Sequence, residues 1–347
     1  MKSLLKAVPL VLAAALAWQP AMAAEVLKFG HDNKTDPFEN PQHACTGVFA
    51  NILGTDTNGD ITVEVFGSNQ LGSATEHIQM VRDNVIQASL VSTGAIASYY
   101  PRIDVLNLPF AFSSNAATYD VFDGQFGRAL AADIEETLGD VVVLGFPDTG
   151  GFFAVTNSKK EIAGLDDFEG IRIRTMSLPS HKVIVQALGA EAYPLAWGEL
   201  YSGLQTGVVD GQMNPVPIIS FAKFGEVQKY MTLTNHLFSP YIMLLNRAFY
   251  ENMTPEQQTI LHYATKSCIA ASRGIAHAIE ASDRGIAGLQ KQLEITALTP
   301  EQRKEMAAVA QPAFEAHIAD NLDEKAGELL GLFKSEVEAA NKSVAMK

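Results

Sequence analysis

From Val26 onward, short β-type runs alternate with longer helix-type segments, and no Gly/Ser- or Pro-rich linker interrupts the rhythm. Parallel strands need long crossover connections, normally helical, so the alternation predicts an α/β fold of mostly parallel sheets with helices on both faces. Residues 26–31 read as a strand, followed by a Pro-bracketed loop and a helical stretch over 43–53. Asp56-Thr57-Asn58-Gly59-Asp60 is a turn into Ile61-Thr62-Val63-Glu64-Val65, whose apolar and polar residues alternate as in a half-buried strand. That turn lacks the alternating carboxylates and distal Glu of a calcium loop. Residues 87–91 and 140–145 are further apolar runs of strand length. A second unit of the same kind starts near Gly150, with a strand at 171–174, a helix over 180–188 and an apolar run at 192–196. A chain of 347 residues outgrows a single core, so two α/β lobes are expected, and without a linker the chain should cross between them more than once. Thr254-Pro255-Glu256-Gln257 and Thr299-Pro300-Glu301-Gln302 carry the N-cap, first-turn Pro and capping-box Gln of helix starts. The first opens a helical pattern running from Pro255 toward Gln292.

Composition narrows the function classes. With 47% hydrophobic and 18% charged residues, the chain is neither disordered nor a multi-span membrane protein. A formal charge of −14 repels phosphate backbones and anionic lipid, so neither nucleic acid nor a membrane surface is an expected partner. Residues 1–23 read as an export signal: Lys2 and Lys6 give a positive start, residues 8–18 an apolar core, and Ala21-Met22-Ala23 a cleavage site. The competing reading, an uncleaved anchor, is disfavoured by Pro9 and Pro20 and by the short apolar run. The mature chain is expected to begin at Ala24 in a bacterial periplasm, with no membrane insertion after cleavage. Asn33-Lys34-Thr35, Asn252-Met253-Thr254 and Asn341-Lys342-Ser343 match the glycosylation sequon, which in a bacterial chain is chance.

The usual catalytic signatures are missing. There is no G-x-S-x-G, P-loop, G-x-G-x-x-G or H-E-x-x-H, and no metal or cofactor site is expected. His43 and Cys45 are two positions apart on a helical pattern and point to different faces, which disfavours a dyad. Cys45 and Cys268 read as buried small hydrophobes, with a disulfide between them left open.

Several segments in order resemble the periplasmic solute-binding proteins of TRAP (tripartite ATP-independent periplasmic) transporters, DctP type. They are Leu27-Lys28-Phe29-Gly30-His31, Phe66 through Gln70-Leu71-Gly72, Tyr100-Pro101, Leu108-Pro109-Phe110 and Thr156-Asn157-Ser158-Lys159. The longest matches are Gly170-Ile171-Arg172-Ile173-Arg174 and the stretch from Leu204-Gln205-Thr206-Gly207 through Asp210-Gly211-Gln212-Met213-Asn214-Pro215. The likeness then continues through Glu226-Val227-Gln228-Lys229-Tyr230 and Thr234-Asn235-His236. It implies a two-lobed periplasmic binding protein fold with crossing strands and a long inter-lobe helix. The first lobe would take 24–150 plus about 240–279, and the second 151–239 plus about 280–347 with the C-terminal helices. It implies capture of a small organic acid and its delivery to the membrane subunits of a transporter; a monomer is expected, though no sequence feature fixes the oligomeric state.

The resemblance also assigns site residues. Arg174 falls on the family's ligand arginine, whose planar guanidinium can hold a carboxylate bidentately; the bland reading is a strand-end Arg paired with a surface acid. Arg172 replaces the family's usual Lys and is expected to face solvent. Asn214 falls on a cleft-lining asparagine that donates an amide N–H, against the alternative of a turn Asn before Pro215. Trp197 matches a cleft aromatic, against plain core packing. His31 or Asp32 after the first strand, and Ser92 or Thr93 after Leu90-Val91, fall at strand C-terminal ends, where open α/β sheets bind ligands. Many relatives carry an arginine shortly before the Thr-Asn-Ser-Lys segment, where this chain has Gly151-Phe152-Phe153-Ala154. A second clamp for a dicarboxylate is therefore missing. Phe152, Phe153, Trp197 and Tyr241 together could wall an aromatic pocket. The expected ligand is a monocarboxylate with an apolar or aromatic body. The alternatives are a C4-dicarboxylate or sugar acid, an exported enzyme acting on an organic acid, and a binding protein that serves a signalling receptor.

Overall fold

The computed structural model describes residues 24–345; the expected export signal, residues 1–23, lies outside the described residues. Eleven strands run in chain order as β1 (Glu25–Gly30), β2 (Ile61–Phe66), β3 (Ala88–Ser92), β4 (Val141–Gly145), β5 (Phe153–Asn157), β6 (Arg172–Thr175), β7 (Glu191–Pro194), β8 (Gly211–Pro215), β9 (Tyr230–Leu233), β10 (Tyr241–Asn246) and β11 (Glu294–Ala297). Alternation decides the first: Leu27 and Phe29 are fully buried while Lys28 between them is exposed. The strands form two sheets, β2-β1-β3-β10-β4 and β11-β9-β5-β8-β6-β7.

Each sheet is mostly parallel and contains one antiparallel strand. In the first it is β10, antiparallel to β3 and β4; in the second it is β5, antiparallel to β8 and β9. Both are the strands that enter from the other lobe, β5 after β4 and β10 after β9. A strand arriving across the cleft starts at the cleft, where the parallel strands end, so it must run against them. Tyr241 at the start of β10 therefore sits opposite Ser92 at the end of β3. Likewise, Phe153 sits opposite Pro215, and Ala154 opposite Asn214.

Helices cover both sheets. The helix Pro255–Glu280 starts at the expected capping box: Thr254 Oγ1 accepts from Gln257 N (3.2 Å) and Gln257 Oε1 from Thr254 N (2.9 Å). It stops at Glu280, short of the expected Gln292, because the chain turns back at Gly285. A Cβ there would lie 2.1 Å from the Glu280 carbonyl oxygen. The helix packs on the first-lobe helix Pro41–Asp56 and reaches Val216–Phe221 of the second lobe. Cys45 and Cys268 are bonded, tying the first two of these helices together.

Three apolar cores result. One lies under Phe29, Phe49 and Leu261, a second under Leu200, Phe224 and Met231, and the largest continues from the first lobe into the second. The last two helices divide between the lobes. Pro300–Asn321 packs on the second-lobe helix Pro179–Ala187. Glu324–Ala345, expected with the second lobe, returns to the first and packs on helices Asn115–Asp123 and Gln125–Leu138. Its Phe333 ring completes an aromatic cluster there, 4.7 Å from Phe126 and 5.6 Å from Phe112 between centroids. Among the described residues, no helix is long and apolar enough to cross a membrane.

Candidate functional site

A hollow of about 170 Å³ lies where the carboxyl ends of the parallel strands of both lobes face each other. The second lobe contributes Arg174 near the end of β6. Its side chain is 3% exposed, and Nε and Nη2 both donate to the Leu195 carbonyl, at 3.0 and 2.8 Å. That fork fixes the guanidinium plane and leaves Nη1 without a partner among the described residues, on a side chain that lines the hollow. Burial lowers the guanidinium pKa to about 10, and the negative charge of Asp32 across the cleft pulls it back up. No carboxylate of the described chain comes within salt-bridge reach of it. Arg172, expected to face solvent, is 34% exposed and is also tied down: Nε and Nη2 hold both oxygens of buried Asp210 at 3.0 and 2.8 Å. The two arginines thus play different parts, one bracing the sheet and one facing the cleft.

Asn214 ends β8 beside Phe153, 7% exposed, and one of its amide hydrogens goes to Gln212 Oε1. Trp197 lines the hollow with one side and packs its ring at 6.0 and 6.1 Å from Phe224 and Phe221. Phe153 is positioned by the crossing segment before β5. There Asp148 accepts from Gly150 N and Gly151 N, both at 2.8 Å, and from the Tyr119 hydroxyl at 2.6 Å. Gly150 and Gly151 take φ of 138° and 86°, a path open to glycine but strained for any side chain.

The first lobe contributes Asp32, Ser92 and Tyr241. Asp32 Oδ1 is buried without a hydrogen-bond partner, and burial raises the carboxyl pKa to about 6, with Gln42 and Arg174 opposing. Ser92 Oγ caps the short helix Thr93–Ile96 by accepting from Ala95 N at 3.2 Å. Tyr241 Oη accepts from Asn33 Nδ2 at 2.8 Å, and burial pushes its pKa well above the usual phenol value.

Three expected residues do not line the hollow. His31 is fully buried behind it, its Nε2 2.9 Å from His43 Nδ1. Burial and the neighbouring His43 and His77 lower its pKa to about 3, which keeps it neutral. Thr93 points into the lobe, its hydroxyl 2.7 Å from Ser239 Oγ. Phe152 packs at 6.3 Å from Phe238, because successive residues entering a strand face opposite ways and Phe153 takes the cleft side. Conversely, Asn33, Asn69, Ser73, Gly94, Thr149, Met176 and Ser239 line the hollow without having been read from the sequence. Ser73 carried a usable signal, a Ser-x-x-Glu capping box with Glu76 that starts a helix at the cleft. Among the described residues, no cluster of three His, Cys, Asp or Glu side chains could hold a metal ion.

Residues 33–321 match the family model "Bacterial extracellular solute-binding protein, family 7" (DctP). The 2,3-diketo-L-gulonate-binding periplasmic protein YiaO of Escherichia coli is 31% identical over 242 residues, which cover 70% of this chain and 72% of that protein. Among solved structures, a TRAP periplasmic solute-binding protein from Sulfitobacter sp. NAS-14.1 with bound β-D-galacturonate superposes with a TM-score of 0.81 at 28% identity. The match covers 90% of this chain and all of that one. One from Sulfurospirillum deleyianum with bound succinate gives 0.78 at 28% identity, over 92% of this chain and all of that one. Two sheets whose crossing strands meet at an arginine-bearing cleft, and a family match spanning most of the sequence, lead to one conclusion: the chain belongs to bacterial extracellular solute-binding protein family 7, the DctP-type periplasmic solute-binding proteins of TRAP transporters.

Proposed function

We propose that this chain captures one small monocarboxylate with an apolar or aromatic body between its lobes and delivers it to the membrane subunits of a TRAP transporter. Arg174 carries the reading: a buried guanidinium, oriented by a backbone carbonyl and given no salt-bridging carboxylate among the described residues, is stabilised by an anion placed at Nη1. Asn214 would add an amide hydrogen. Phe153, Trp197, Tyr241, Met176 and Ile218 offer the ligand body an apolar wall, and among the described residues no second arginine lines the hollow. Burying a ring there is worth a few kcal/mol at roughly 25 cal/mol per Å².

One observation favours a hydroxylated body. Asp32, Asn33, Ser92 and Thr149 line the first-lobe side, and the unpartnered Asp32 Oδ1 calls for a hydroxyl, an amine or a proton. The Sulfitobacter relative binds a uronate, a hydroxylated monocarboxylate, whereas the Sulfurospirillum relative binds succinate. An export signal over residues 1–23, release of a mature chain at Ala24, and lobes divided near residues 150 and 240 belong to the same proposal.

A thermal-shift panel on the mature protein tests it, with phenyllactate, pantoate, D-galacturonate and succinate as members. An acid at 100 times its Kd should stabilise the closed form by about 2.7 kcal/mol, a shift of several degrees. Monocarboxylate hits support the single-arginine reading. Succinate as the sole hit overturns it while keeping acid capture, and silence across a broad acid library overturns capture itself.

A further inference from the structure

Gly94 lies in the short first-lobe helix Thr93–Ile96, and Met176 follows β6 in the second lobe; both line the hollow from opposite sides. A Cβ built on Gly94 would meet Met176 Cβ at 2.8 Å, Sδ at 3.2 Å and Cγ at 3.3 Å. The nearest atom is the methionine Cβ, which moves only with its backbone, so no rotamer change at Met176 relieves the contact. Nothing local asks for glycine here. Gly94 is absent from the positive-φ residues, and in a helical turn alanine is the better residue.

We infer that Gly94 is the steric stop of the cleft: the lobes close fully over a ligand only because position 94 lacks a side chain and lets Met176 seat against the helix. This deepens the capture reading and rests on it for the purpose of closure, not for the approach of the lobes. Two consequences of opposite sign follow. A methyl at 94 leaves the open protein as stable as the parent or slightly more so, and it weakens capture because the lobes halt early. Relief requires deletion of the Met176 Cβ itself, so Met176→Gly restores closure to a Gly94→Ala protein and Met176→Ala does not.

The approach is testable without any acid. In G94C/M176C, a disulfide needs Cβ atoms about 3.5–4.5 Å apart, slightly beyond the closest approach of the two positions. Mild oxidation should give that cross-link, read by peptide mass mapping. Both thiols reacting with a maleimide while no cross-link forms would overturn the inference. Size is read with any acid that shifts the parent in the thermal panel. Gly94→Ala should weaken its binding about tenfold in the parent and in Met176→Ala, but by no more than about threefold in Met176→Gly. Equal loss in all three backgrounds, or parental affinity in Gly94→Ala, overturns the stop. A panel silent on the parent would sink acid capture, and the cross-link would still decide this inference.

Discussion

Arg174 and Asp32 face one cleft from opposite lobes, and each is made conspicuous by what its own chain withholds. Arg174 has a carbonyl where a carboxylate would be expected, and Asp32 has a buried oxygen with no donor. Arg174→Ala should abolish acid binding in calorimetry with the melting temperature of the free protein held or raised, since a desolvated charge is removed. Arg174→Lys should lose about tenfold or more, because an ammonium cannot fork between the Leu195 carbonyl and a carboxylate. For Asp32 the sign is set by the raised pKa. The folded carboxyl holds its proton up to about 6 and the unfolded one to about 3.8, so folding takes up a proton between those values. Stability therefore falls as pH rises from 4 to 6 and stays lower above that window. Asp32→Asn should flatten this dependence, matching the parent near pH 4 and melting higher at pH 8; identical curves would show that Asp32 ionises without cost.

At the scale of elements, period and punctuation explain what the sequence made legible. Alternation in β1 and the Thr254 and Thr299 capping boxes place strands and helix starts where the structure has them, because those signals are local. Arg174, Asn214 and Phe153 were expected at the cleft from the family resemblance rather than from any local pattern, and all three line the hollow where strands of the second sheet meet it. The illegible features depend on partners distant in sequence. An apolar stripe on Glu324–Ala345 says that a face is buried, not that Phe122 and Phe126 of the first lobe cover it. Ser92 and Thr93 differ only in which side of a strand exit they take, and no pattern of one residue records that. The cysteines were legible as buried but not as a pair. Their bond joins positions 223 residues apart. Replacing both with alanine should cost about 2–4 kcal/mol by loop-closure entropy, seen as a lower midpoint in denaturant. Because the bond staples two helices of the first lobe and lies away from the cleft, acid affinity should remain within a few-fold of the parent.

The molecule as a whole joins two rigid outer cores through crossing segments and one continuous inner core. Close-packed cores, the shared inner one included, deform little, so any change in the relation of the lobes falls to the few loop residues of the crossing segments that lie outside them. The segment around Asp148 is suited to act as such a hinge. It is braced on Tyr119 and, through its backbone amide, on Ser272 of the long helix, and it is followed by two glycines. Hydrogen exchange can separate this view from one in which an acid merely tightens the whole fold. With a bound acid, protection should rise at the cleft segments 92–95, 149–153, 174–177 and 239–241, each contributed by a different strand end. The strands under Phe29 and Met231, whose opening requires global unfolding, should slow by the factor that the acid adds to global stability, about 100-fold at 100 times its Kd. Slowing confined to the outer cores, with the cleft segments exchanging at unchanged rates, would mean that the acid stabilises through the global equilibrium alone and that the cleft does not close as a hinge.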